Sequence, residues 1–393
     1  MKIKISILGS TGSIGNSTLK IIDKKRNFFK INTFCANKNY NKICSQIKKY
    51  KPKSFVVNNT NIFLKLKKKF KKKNINILNS YLDLSKKDLK NDITIAAIPG
   101  LAGLEPTVEF TKNSKKILLA NKESVICGWN LIKKTSIKNK TKIIPIDSEH
   151  FSILKLLEDG SDKNIDKIFI TASGGPFLKM PIKEFKNIKP KDAIKHPKWS
   201  MGKKISVDSA TLMNKVLELF EAYKLFSFSK NKYKIIIHPQ SLVHAIIKYK
   251  NGLTRILYHE PDMRIPILNA IFDNQQIDKK FLISSKNLIV KNLEFFEVNS
   301  KKFPAINLIN KKKIHKSTPI IINAANEIFV DYFLKNKIAF NSIYNYLCLV
   351  LKDENYKKYA IKTSNSLKEI KLIDSWARRA ALTVLQKKTN QNV

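Results

Sequence analysis

Two carboxylates separated by one serine, Asp147 and Glu149, close the apolar run IIPIDSE at residues 143–149. If this run is a β-strand, residues i and i+2 lie on one face, so both carboxylates point the same way. Adjacent anions repel unless a cation lies between them, and hard divalent cations such as Mg²⁺ or Mn²⁺ prefer carboxylate oxygens. The pattern indicates a metal site, although an isolated D-x-E pair is more often a strand end before a polar turn.

A third acidic group lies in SATLMNKVLE, at the start of a predicted helix over Ser209–Phe226. On that helix Asn214, Lys215 and Glu218 share one face, because residues three and four positions apart are neighbours. Ser209 at the predicted helix start adds a hydroxyl where the helix dipole favours phosphate. A simple Lys215–Glu218 ion pair is the alternative. With the two earlier carboxylates, Glu218 would complete an all-oxygen metal site.

Three further segments supply groups that a phosphorylated polyol needs. Lys122 lies in ANKES, after a predicted strand, and would neutralise an oxyanion unless it is an ordinary surface lysine. Ser173 lies in TASGGP, where small residues suit an anion-binding turn, and a plain loop is equally compatible. The loop HPKWSMG at 196–202 is predicted to be a lid that excludes water, with a permanently packed loop as the alternative.

The glycine pattern Gly9-x-x-Gly12-x-x-Gly15 follows a predicted strand at 3–8 and precedes a predicted helix over Ser17–Asp23. Such a turn holds a pyrophosphate on backbone N–H groups, although glycines also occur in plain βα turns. The second predicted strand ends in ANKN at 36–39, with no carboxylate for a ribose 2′-hydroxyl and one lysine for a 2′-phosphate. The pattern favours NADPH over NADH.

These residues are placed by alternating strands and helices, which predict a Rossmann-like, doubly wound parallel sheet. Less regular strands and helices follow, with the helical periodicity of an all-α region at the end. The predicted fold class is therefore α/β, with a central α+β catalytic domain and a C-terminal all-α domain. The predicted boundaries are 1–146 for the NADPH-binding domain, 147–272 for the catalytic domain, 273–303 for a connecting segment and 304–393 for the helical domain.

Composition bounds the alternatives. The chain has 393 residues, 75 basic against 30 acidic, and a formal net charge of +45. Only five basic residues are arginine, and the lysines are spread along the chain, so we expect a lysine-covered surface rather than a nucleic-acid-binding protein. The four scattered cysteines predict reduced core residues. We expect a cytosolic protein with no membrane partner, since neither a signal peptide nor a membrane-spanning run is present.

The chain carries, in this order, the segments GSTGSIG, LLANKES, PIDSEH, TASGGPF, HPKWSMG, KISVDSATLMNK, IHPQS, EPDMR and NAANE. Together they resemble the 1-deoxy-D-xylulose 5-phosphate reductoisomerase family of the methylerythritol phosphate route to isoprenoid precursors. The resemblance implies an NADPH-dependent oxidoreductase, usually a homodimer, that rearranges and reduces this sugar phosphate to 2-C-methyl-D-erythritol 4-phosphate. The implied metal is Mg²⁺ or Mn²⁺, with Co²⁺ as a further candidate. Whether the carbon skeleton shifts by retro-aldol and aldol steps or by direct migration stays open.

The resemblance also implies roles for matching residues. The implied metal ligands are Asp147, Glu149 and Glu218. The implied phosphate contacts are Ser173, Ser209, Asn214 and Lys215, and the implied contacts to the sugar backbone are Lys122, Ser148, Glu149, His196 and Glu218. Lys122, Glu149 and His196 are expected to act in catalysis, with Trp199 and Met201 in the lid. The implied NADPH contacts are Thr11, Gly12, Ser13, Ile14, Asn37, Lys38, Asn39, Asn121, Glu123 and Gly202.

Three residues depart from the family pattern: Asn37 and Val216 replace glycines, and His259 replaces a small residue. Two other functions remain as alternatives. A plain NADPH dehydrogenase acting on another phosphorylated sugar would need no carboxylate-bound metal. A lysine-rich nucleic-acid-binding protein would show a steeply salt-dependent affinity and no cofactor use.

Overall fold

The computed structural model describes residues 2–158, 164–199, 201–273, 292–309 and 314–390. Its strands are β1 (Ile3–Leu8), β2 (Phe29–Ala36), β3 (Ser54–Val57), β4 (Asn76–Leu78), β5 (Asn91–Ala96), β6 (Ser114–Leu119), β7 (Lys142–Pro145), β8 (Ile165–Ala172), β9 (Tyr233–Ile237), β10 (Val243–Tyr249), β11 (Thr254–Tyr258) and β12 (Phe296–Glu297). Its α-helices begin with α1 (Ser13–Lys24), α2 (Tyr40–Tyr50), α3 (Thr60–Lys69), α4 (Lys86–Leu89), α5 (Leu104–Thr111), α6 (Lys122–Asn139) and α7 (Ser148–Leu157). They continue with α8 (Pro190–Ala193), α9 (Lys203–Ala210), α10 (Met213–Leu225), α11 (Arg264–Phe272), α12 (Thr318–Leu334), α13 (Ser342–Val350), α14 (Tyr356–Ala360) and α15 (Leu367–Asn390).

The chain divides into two compact units. The first takes in the described residues within 1–124, 130–151 and 262–288, and the second those within 125–129, 152–261 and 289–393. The predicted connecting segment 273–303 lies largely outside the described residues. The predicted division into three domains stays a prediction. No described helix combines the length and the apolar content needed to cross a membrane.

The first unit contains a seven-stranded parallel sheet in the order β4-β3-β2-β1-β5-β6-β7. In its central strand, β1, consecutive residues Ile5 to Leu8 are all fully buried, as expected where helices cover both faces of a parallel sheet. The strand order reverses between β1 and β5, and ligands of such folds bind in the crevice at that reversal. The predicted doubly wound sheet is confirmed.

The second unit contains a mixed five-stranded sheet in the order β11-β10-β8-β9-β12, in which only the β8–β9 pair is parallel. Its core includes Ile168, Ile170 and Ile247, and Leu219 of α10 belongs to the same buried cluster. The C-terminal part of this unit is helical, as the periodicity predicts, and the rings of Tyr359 and Trp376 stack there at 4.6 Å between centroids. The predicted central α+β and C-terminal helical regions are confirmed.

The run at 143–149 is not a single strand, so the expectation that Asp147 and Glu149 share one strand face is wrong. Strand β7 ends at Pro145, and helix α7 begins at Ser148. The backbone N–H of Phe151 donates to the Asp147 carbonyl at 2.8 Å, so Asp147 leads directly into the helix. Proline lacks the N–H that would extend a β-ladder, and acidic residues favour the first turn of a helix.

The predicted helix over Ser209–Phe226 is broken, and the placement of Ser209 at a helix start is wrong. Helix α9 ends at Ala210 and α10 begins at Met213, so Ser209 lies in the last turn of α9. Leu212 adopts a left-handed conformation at φ 63°, and the Thr211 hydroxyl accepts a hydrogen bond from the Met213 N–H at 3.3 Å. Burial of the Leu212 side chain offsets the cost of this conformation.

The cysteine prediction is confirmed for three residues. Cys35, Cys44 and Cys127 are free and buried, and Cys348 is free and partly buried. Burial raises the pKa of Cys35 to about 12, because the thiolate would lose its hydration. Cys35, Cys44 and Cys127 are therefore core residues.

Candidate active site

The glycine turn between β1 and α1 is fixed by close backbone contacts. The N–H groups of Gly9 and Ser10 both donate to the Cys35 carbonyl at 2.9 Å, and Gly9 has φ +88°. A Cβ on Gly9 would lie 2.5 Å from the Ala97 carbonyl, and one on Gly15 would lie 2.5 Å from the Gly9 carbonyl. The turn therefore needs glycine at both positions, and it leads the chain into the first turn of α1, whose N–H groups suit a phosphate.

The predicted NADPH contacts in this turn are accessible. Gly12 and Ser13 are exposed, and Thr11 and Ile14 are partly exposed. Ser10, the buried residue before them, is held by Gln46 of α2: its hydroxyl donates to Gln46 Oε1 at 2.7 Å, and Gln46 Nε2 donates to the Ser10 carbonyl at 2.9 Å. This pair of hydrogen bonds fixes the turn against helix α2.

The segment after β2 is exposed at Asn37, Lys38 and Asn39. Asn39 caps helix α2, because its Oδ1 accepts a hydrogen bond from the Lys42 N–H at 3.1 Å. The described segment has no carboxylate, in agreement with the reasoning that favours a 2′-phosphate. The Lys38 side chain lies in solvent, where an anion can reach it.

The segment after β6 carries the next predicted group. Asn121 is buried and caps helix α6, since its Oδ1 accepts from the Ser124 N–H at 2.5 Å and its Nδ2 donates to the Gly100 carbonyl at 3.0 Å and to Ile98. Its side chain is thus occupied by the backbone of neighbouring turns. Glu123, in the first turn of α6, is also buried.

Lys122 lies beside one of the predicted metal ligands. Its Nζ is 3.3 Å from Asp147 Oδ2, and the lysine is 9% exposed, so the ammonium is largely withdrawn from water. In the first turn of α7, the Ser148 hydroxyl donates to Glu149 Oε2 at 2.5 Å, and both residues are buried. Charge-assisted contacts of this kind hold carboxylate oxygens in fixed directions.

In the second unit, the turn after β8 packs closely on the end of α9. Gly174 and Gly175 both have left-handed φ values, +80° and +66°, and a Cβ on Gly175 would lie 3.0 Å from the Ser209 carbonyl. The Ser173 hydroxyl accepts from the Gly175 N–H at 3.1 Å. The glycines therefore place two of the predicted phosphate contacts, Ser173 and Ser209, on neighbouring backbone segments.

Helix α10 carries three more of the predicted site residues of the second unit. Lys215 Nζ donates to Glu218 Oε2 at 2.7 Å, and Asn214 Nδ2 donates to Glu218 Oε1. Glu218 is 1% exposed, and burying a carboxylate requires such partners. The prediction that these three side chains share one helical face is confirmed.

His196 connects the predicted lid to the turn after β8, which holds Ser173. Its Nδ1 accepts from the Lys198 and Trp199 N–H groups at 3.2 and 2.9 Å, so the neutral ring carries its proton on Nε2 and donates to Ser173 Oγ at 2.9 Å. Burial and the charge of Lys215 lower the pKa of His196 to about 4. The imidazole is therefore neutral at physiological pH, and the Ser173 hydroxyl keeps its own proton for donation to an anion.

Trp199, in the predicted lid, packs on the first of two stacked histidines. Its ring lies 6.0 Å from that of His244 in an edge-on arrangement, and His244 stacks on His259 with 3.9 Å between centroids. Burial and the neighbouring His259 hold the pKa of His244 well below its usual range, so this ring is uncharged. His259, a departure from the family pattern, thus fills space behind the residue that supports Trp199. Met201 is partly exposed, and Gly202 is exposed.

Comparison with known families gives three matches along the chain. The model described as 1-deoxy-D-xylulose 5-phosphate reductoisomerase matches residues 5–128, and that of the C-terminal domain of the same enzyme matches residues 143–226. The model described as DXP reductoisomerase C-terminal domain matches residues 259–380. A 1-deoxy-D-xylulose 5-phosphate reductoisomerase of Pelagibacter ubique is 44% identical over 95% of this chain and 97% of its own length.

The chain belongs to the 1-deoxy-D-xylulose 5-phosphate reductoisomerase family. Another reductoisomerase, from Clostridium novyi, is 40% identical over 86% of this chain and 89% of the relative. A crystal structure of DOX-P reductoisomerase in complex with NADPH, fosmidomycin and magnesium is 32% identical, covers 98% of both chains and has a TM-score of 0.91. The Zymomonas mobilis reductoisomerase in complex with NADPH is 31% identical, covers 98% of this chain and 99% of that one, and has a TM-score of 0.87.

The predicted reductoisomerase residues are divided between the two units. The first unit contributes Thr11, Gly12, Ser13, Ile14, Asn37, Lys38, Asn39, Asn121, Lys122, Glu123, Asp147, Ser148 and Glu149. The second contributes Ser173, His196, Trp199, Met201, Gly202, Ser209, Asn214, Lys215 and Glu218. All the predicted NADPH contacts except Gly202 thus belong to the first unit, and all the predicted phosphate contacts belong to the second.

Three supporting residues were missed by the sequence reasoning. Gln46 is a polar residue on the buried face of α2, and a polar group at an apolar position is a signal that it bonds to backbone. Thr211 marks the break between α9 and α10, but the apolar periodicity continues through it. His244 alternates with apolar neighbours in β10, so its pattern is that of an ordinary core strand.

Proposed function

We propose that this chain converts 1-deoxy-D-xylulose 5-phosphate into 2-C-methyl-D-erythritol 4-phosphate, using NADPH and a divalent metal ion. The observation that carries the proposal is the match to reductoisomerases over nearly the whole chain, including a 44% identical relative. A similar structure holds NADPH, fosmidomycin and magnesium. The product forms by rearrangement of the carbon skeleton followed by reduction, which makes the chain an NADPH-dependent oxidoreductase.

Asp147, Glu149 and Glu218 are the proposed metal ligands. Their chemistry fits, because all three offer carboxylate oxygens, the ligands that Mg²⁺ and Mn²⁺ prefer. Ammonium groups already accompany two of them: Lys122 lies against Asp147, and Lys215 lies against Glu218. A bound divalent ion would polarise the substrate's carbonyl and hydroxyl oxygens.

The substrate phosphate is assigned to Ser173, Ser209, Asn214 and Lys215. The neutral His196 ring holds the Ser173 hydroxyl as an acceptor, so this hydroxyl donates its proton to a phosphate oxygen. Lys215 brings positive charge at the start of α10, where the helix dipole also favours an anion. Binding energy from this remote group would support closure of the lid over the reacting carbons.

Lys122 and Glu149 are the groups assigned to charge and proton handling. The Lys122 ammonium, largely withdrawn from water, would stabilise negative charge that develops on a substrate oxygen. Glu149 would accept a proton from a substrate hydroxyl, and the hydrogen bond from Ser148 orients its carboxylate for that transfer. Ser148, His196 and Glu218 would also contact the sugar backbone.

NADPH is assigned to the glycine turn, with Thr11, Gly12, Ser13 and Ile14, and to the segments holding Asn37, Lys38, Asn39, Asn121, Glu123 and Gly202. The exposed Lys38 would neutralise its 2′-phosphate. The cofactor supplies the hydride of the reduction. Trp199 and Met201 in the lid would exclude water from that step.

The assembly and location follow from family membership. We infer that the chain forms a homodimer, works in the cytosol, and acts on a small sugar phosphate rather than on nucleic acid. The division into an NADPH-binding domain at 1–146, a catalytic domain at 147–272 and a helical domain at 304–393 belongs to the same proposal.

The decisive assay follows NADPH oxidation with 1-deoxy-D-xylulose 5-phosphate and Mg²⁺. We expect turnover by the wild type and a loss of about a hundredfold or more in Glu218→Gln, since one metal-binding carboxylate becomes a neutral amide. Glu354→Gln, the same change at an exposed residue, is the matched control and should keep full activity. Absence of wild-type turnover, or an unimpaired Glu218→Gln, would overturn the assignment. Turnover that survives EDTA would favour a metal-independent dehydrogenase instead.

A further inference from the structure

One buried carboxylate in the second unit has no part in the proposed reaction. Asp208 of α9 is 1% exposed, and its Oδ1 accepts a hydrogen bond from Asn326 Nδ2 at 2.7 Å. Its Oδ2 lies 2.9 Å from Nζ of Lys204, one turn earlier on α9, whose side chain is 26% exposed. A buried carboxylate is costly unless it is paired and hydrogen-bonded, so these contacts fix Asp208 in one position.

The partner amide is presented by a helix that is itself anchored. Asn326 lies within α12 and is fully buried. The next residue on α12, Glu327, pairs with Arg378 of α15, and Arg378 Nε also lies 2.7 Å from Asp374 Oδ2. The amide of Asn326 is therefore held by the packed C-terminal helices, and it fixes α9 relative to them.

The position of Asp208 in the sequence gives this contact a consequence for the substrate. Asp208 directly precedes Ser209, one of the proposed phosphate contacts. The backbone at Ser209 packs closely on Gly175, and the left-handed turn at Leu212 then leads into Asn214 and Lys215. The backbone at Ser209 is closely packed, so α9 cannot shift without moving its neighbours. A displacement of α9 would therefore move the proposed phosphate contacts Ser209, Asn214 and Lys215 together.

We propose that Asp208 and Asn326 are positioning residues that set the end of α9, and with it the phosphate site, from the C-terminal helical region. Neither residue touches the reacting atoms. The role differs from ordinary packing, because it predicts a selective effect on the phosphate end of the substrate. The inference rests on the proposed function only in taking Ser209 as a phosphate contact.

The test uses the isosteric change Asn326→Asp, which replaces the amide that donates to Asp208 with a second carboxylate. Asn326→Asp places two carboxylates in hydrogen-bond contact in a buried site, where repulsion disfavours both being ionised. At pH 8 we expect the KM for 1-deoxy-D-xylulose 5-phosphate to rise about tenfold, with kcat and the Kd for NADPH changed less than about twofold. The ratio of variant to wild-type KM should fall as the pH is lowered to 6, because one proton is then shared between the two acids. The charged neighbours of the Asp208–Asn326 pair are Lys204 on α9 and Glu327 on α12, and Glu327 is itself paired with Arg378.

The matched control is the double variant Asp208→Asn with Asn326→Asp, which restores one donor and one acceptor and should bring KM back towards the wild-type value. Inorganic phosphate binding, measured by calorimetry on the full-length protein, must change in parallel; this readout remains valid even if the wild type does not turn over the sugar phosphate.

A variant with a lower melting temperature but unchanged KM and phosphate affinity would show a purely structural contact and overturn the proposal. Equal losses for NADPH and substrate would do the same. If Asn326→Asp does not fold, Asn326→Ser removes the hydrogen bond more gently, and unchanged phosphate affinity in that variant is again contrary to the proposal.

Discussion

His196 shows how one side chain sets the state of its surroundings. The imidazole accepts hydrogen bonds from the backbone N–H groups of Lys198 and Trp199 and donates to Ser173, an arrangement that requires a neutral ring. Protonation would place a hydrogen on Nδ1 and break the hydrogen bonds from Lys198 and Trp199. Burial, which lowers the pKa of His196 to about 4, protects this arrangement across the physiological range.

This shift predicts a pH dependence of stability. In the unfolded chain the pKa of the imidazole is about 6.5, whereas in the folded chain the ring stays neutral down to about pH 4. Between these values the unfolded state binds a proton that the folded state does not, so the free energy of unfolding falls as the pH decreases through that window. Urea midpoints between pH 7.5 and 4.5 should fall more steeply for the wild type than for His196→Gln, which has no titrating group there. Parallel slopes for the two proteins would contradict the assignment.

His259 offers a second test at the scale of a residue. Its ring stacks on His244, which in turn supports Trp199. Replacement by alanine removes one stacked pair, worth about 1 kcal/mol in the free energy of unfolding, and lets the His244 ring tilt away from Trp199. We therefore expect His259→Ala to raise the KM for substrate more than that for NADPH. His315→Ala, which removes a histidine that contacts Tyr356, is the control and should leave both KM values unchanged.

At the scale of elements, the glycine turn between β1 and α1 makes unequal demands on its three glycines. A Cβ on Gly15 would lie 2.5 Å from the carbonyls of Gly9 and Ser10, whereas one on Gly12 would lie 3.3 Å from its nearest neighbour. Gly12 also has φ −77°, which any residue adopts. Gly15→Ala should lower the free energy of unfolding by about 2 kcal/mol and Gly12→Ala by much less, as measured by urea denaturation. Similar costs for both changes would mean that the turn is not shaped by this contact.

The elements also show what the sequence can and cannot predict. Strand β1 has the bounds 3–8 that its pattern predicts, because the run leads directly into the glycine turn. The break at Thr211 and Leu212 was missed, since apolar residues continue at helical spacing through both helices. Only tertiary packing, which the sequence pattern does not show, offsets the energetic cost of a leucine in the left-handed conformation. The turn of direction after Pro145 was missed for a different reason: the apolar run continues to Ile146, although proline had already ended the strand.

For the site, the residues proposed to bind substrate and metal were easier to predict from the sequence than the contacts that hold them in place. The face shared by Asn214, Lys215 and Glu218 follows from helical spacing alone, so it was predictable. The contact between Asp208 and Asn326 joins residues that are distant in the chain, and no local pattern encodes it. The same is true of the stack that His259 makes with His244.

For the whole molecule, the formal net charge of +45 from 75 basic and 30 acidic residues should act on stability and on substrate binding in opposite directions. Like charges repel across the surface of the folded chain, and salt weakens that repulsion, because the screening length falls to about 10 Å at 0.1 M ionic strength. The melting temperature should therefore rise by about 3 °C or more between 20 and 300 mM NaCl. The same screening weakens attraction of a phosphorylated substrate, so its KM should rise over that range. KCl at equal ionic strength is the control against a specific ion effect, and a melting temperature that stays flat or falls in both salts would show that the lysines are spaced too widely to repel.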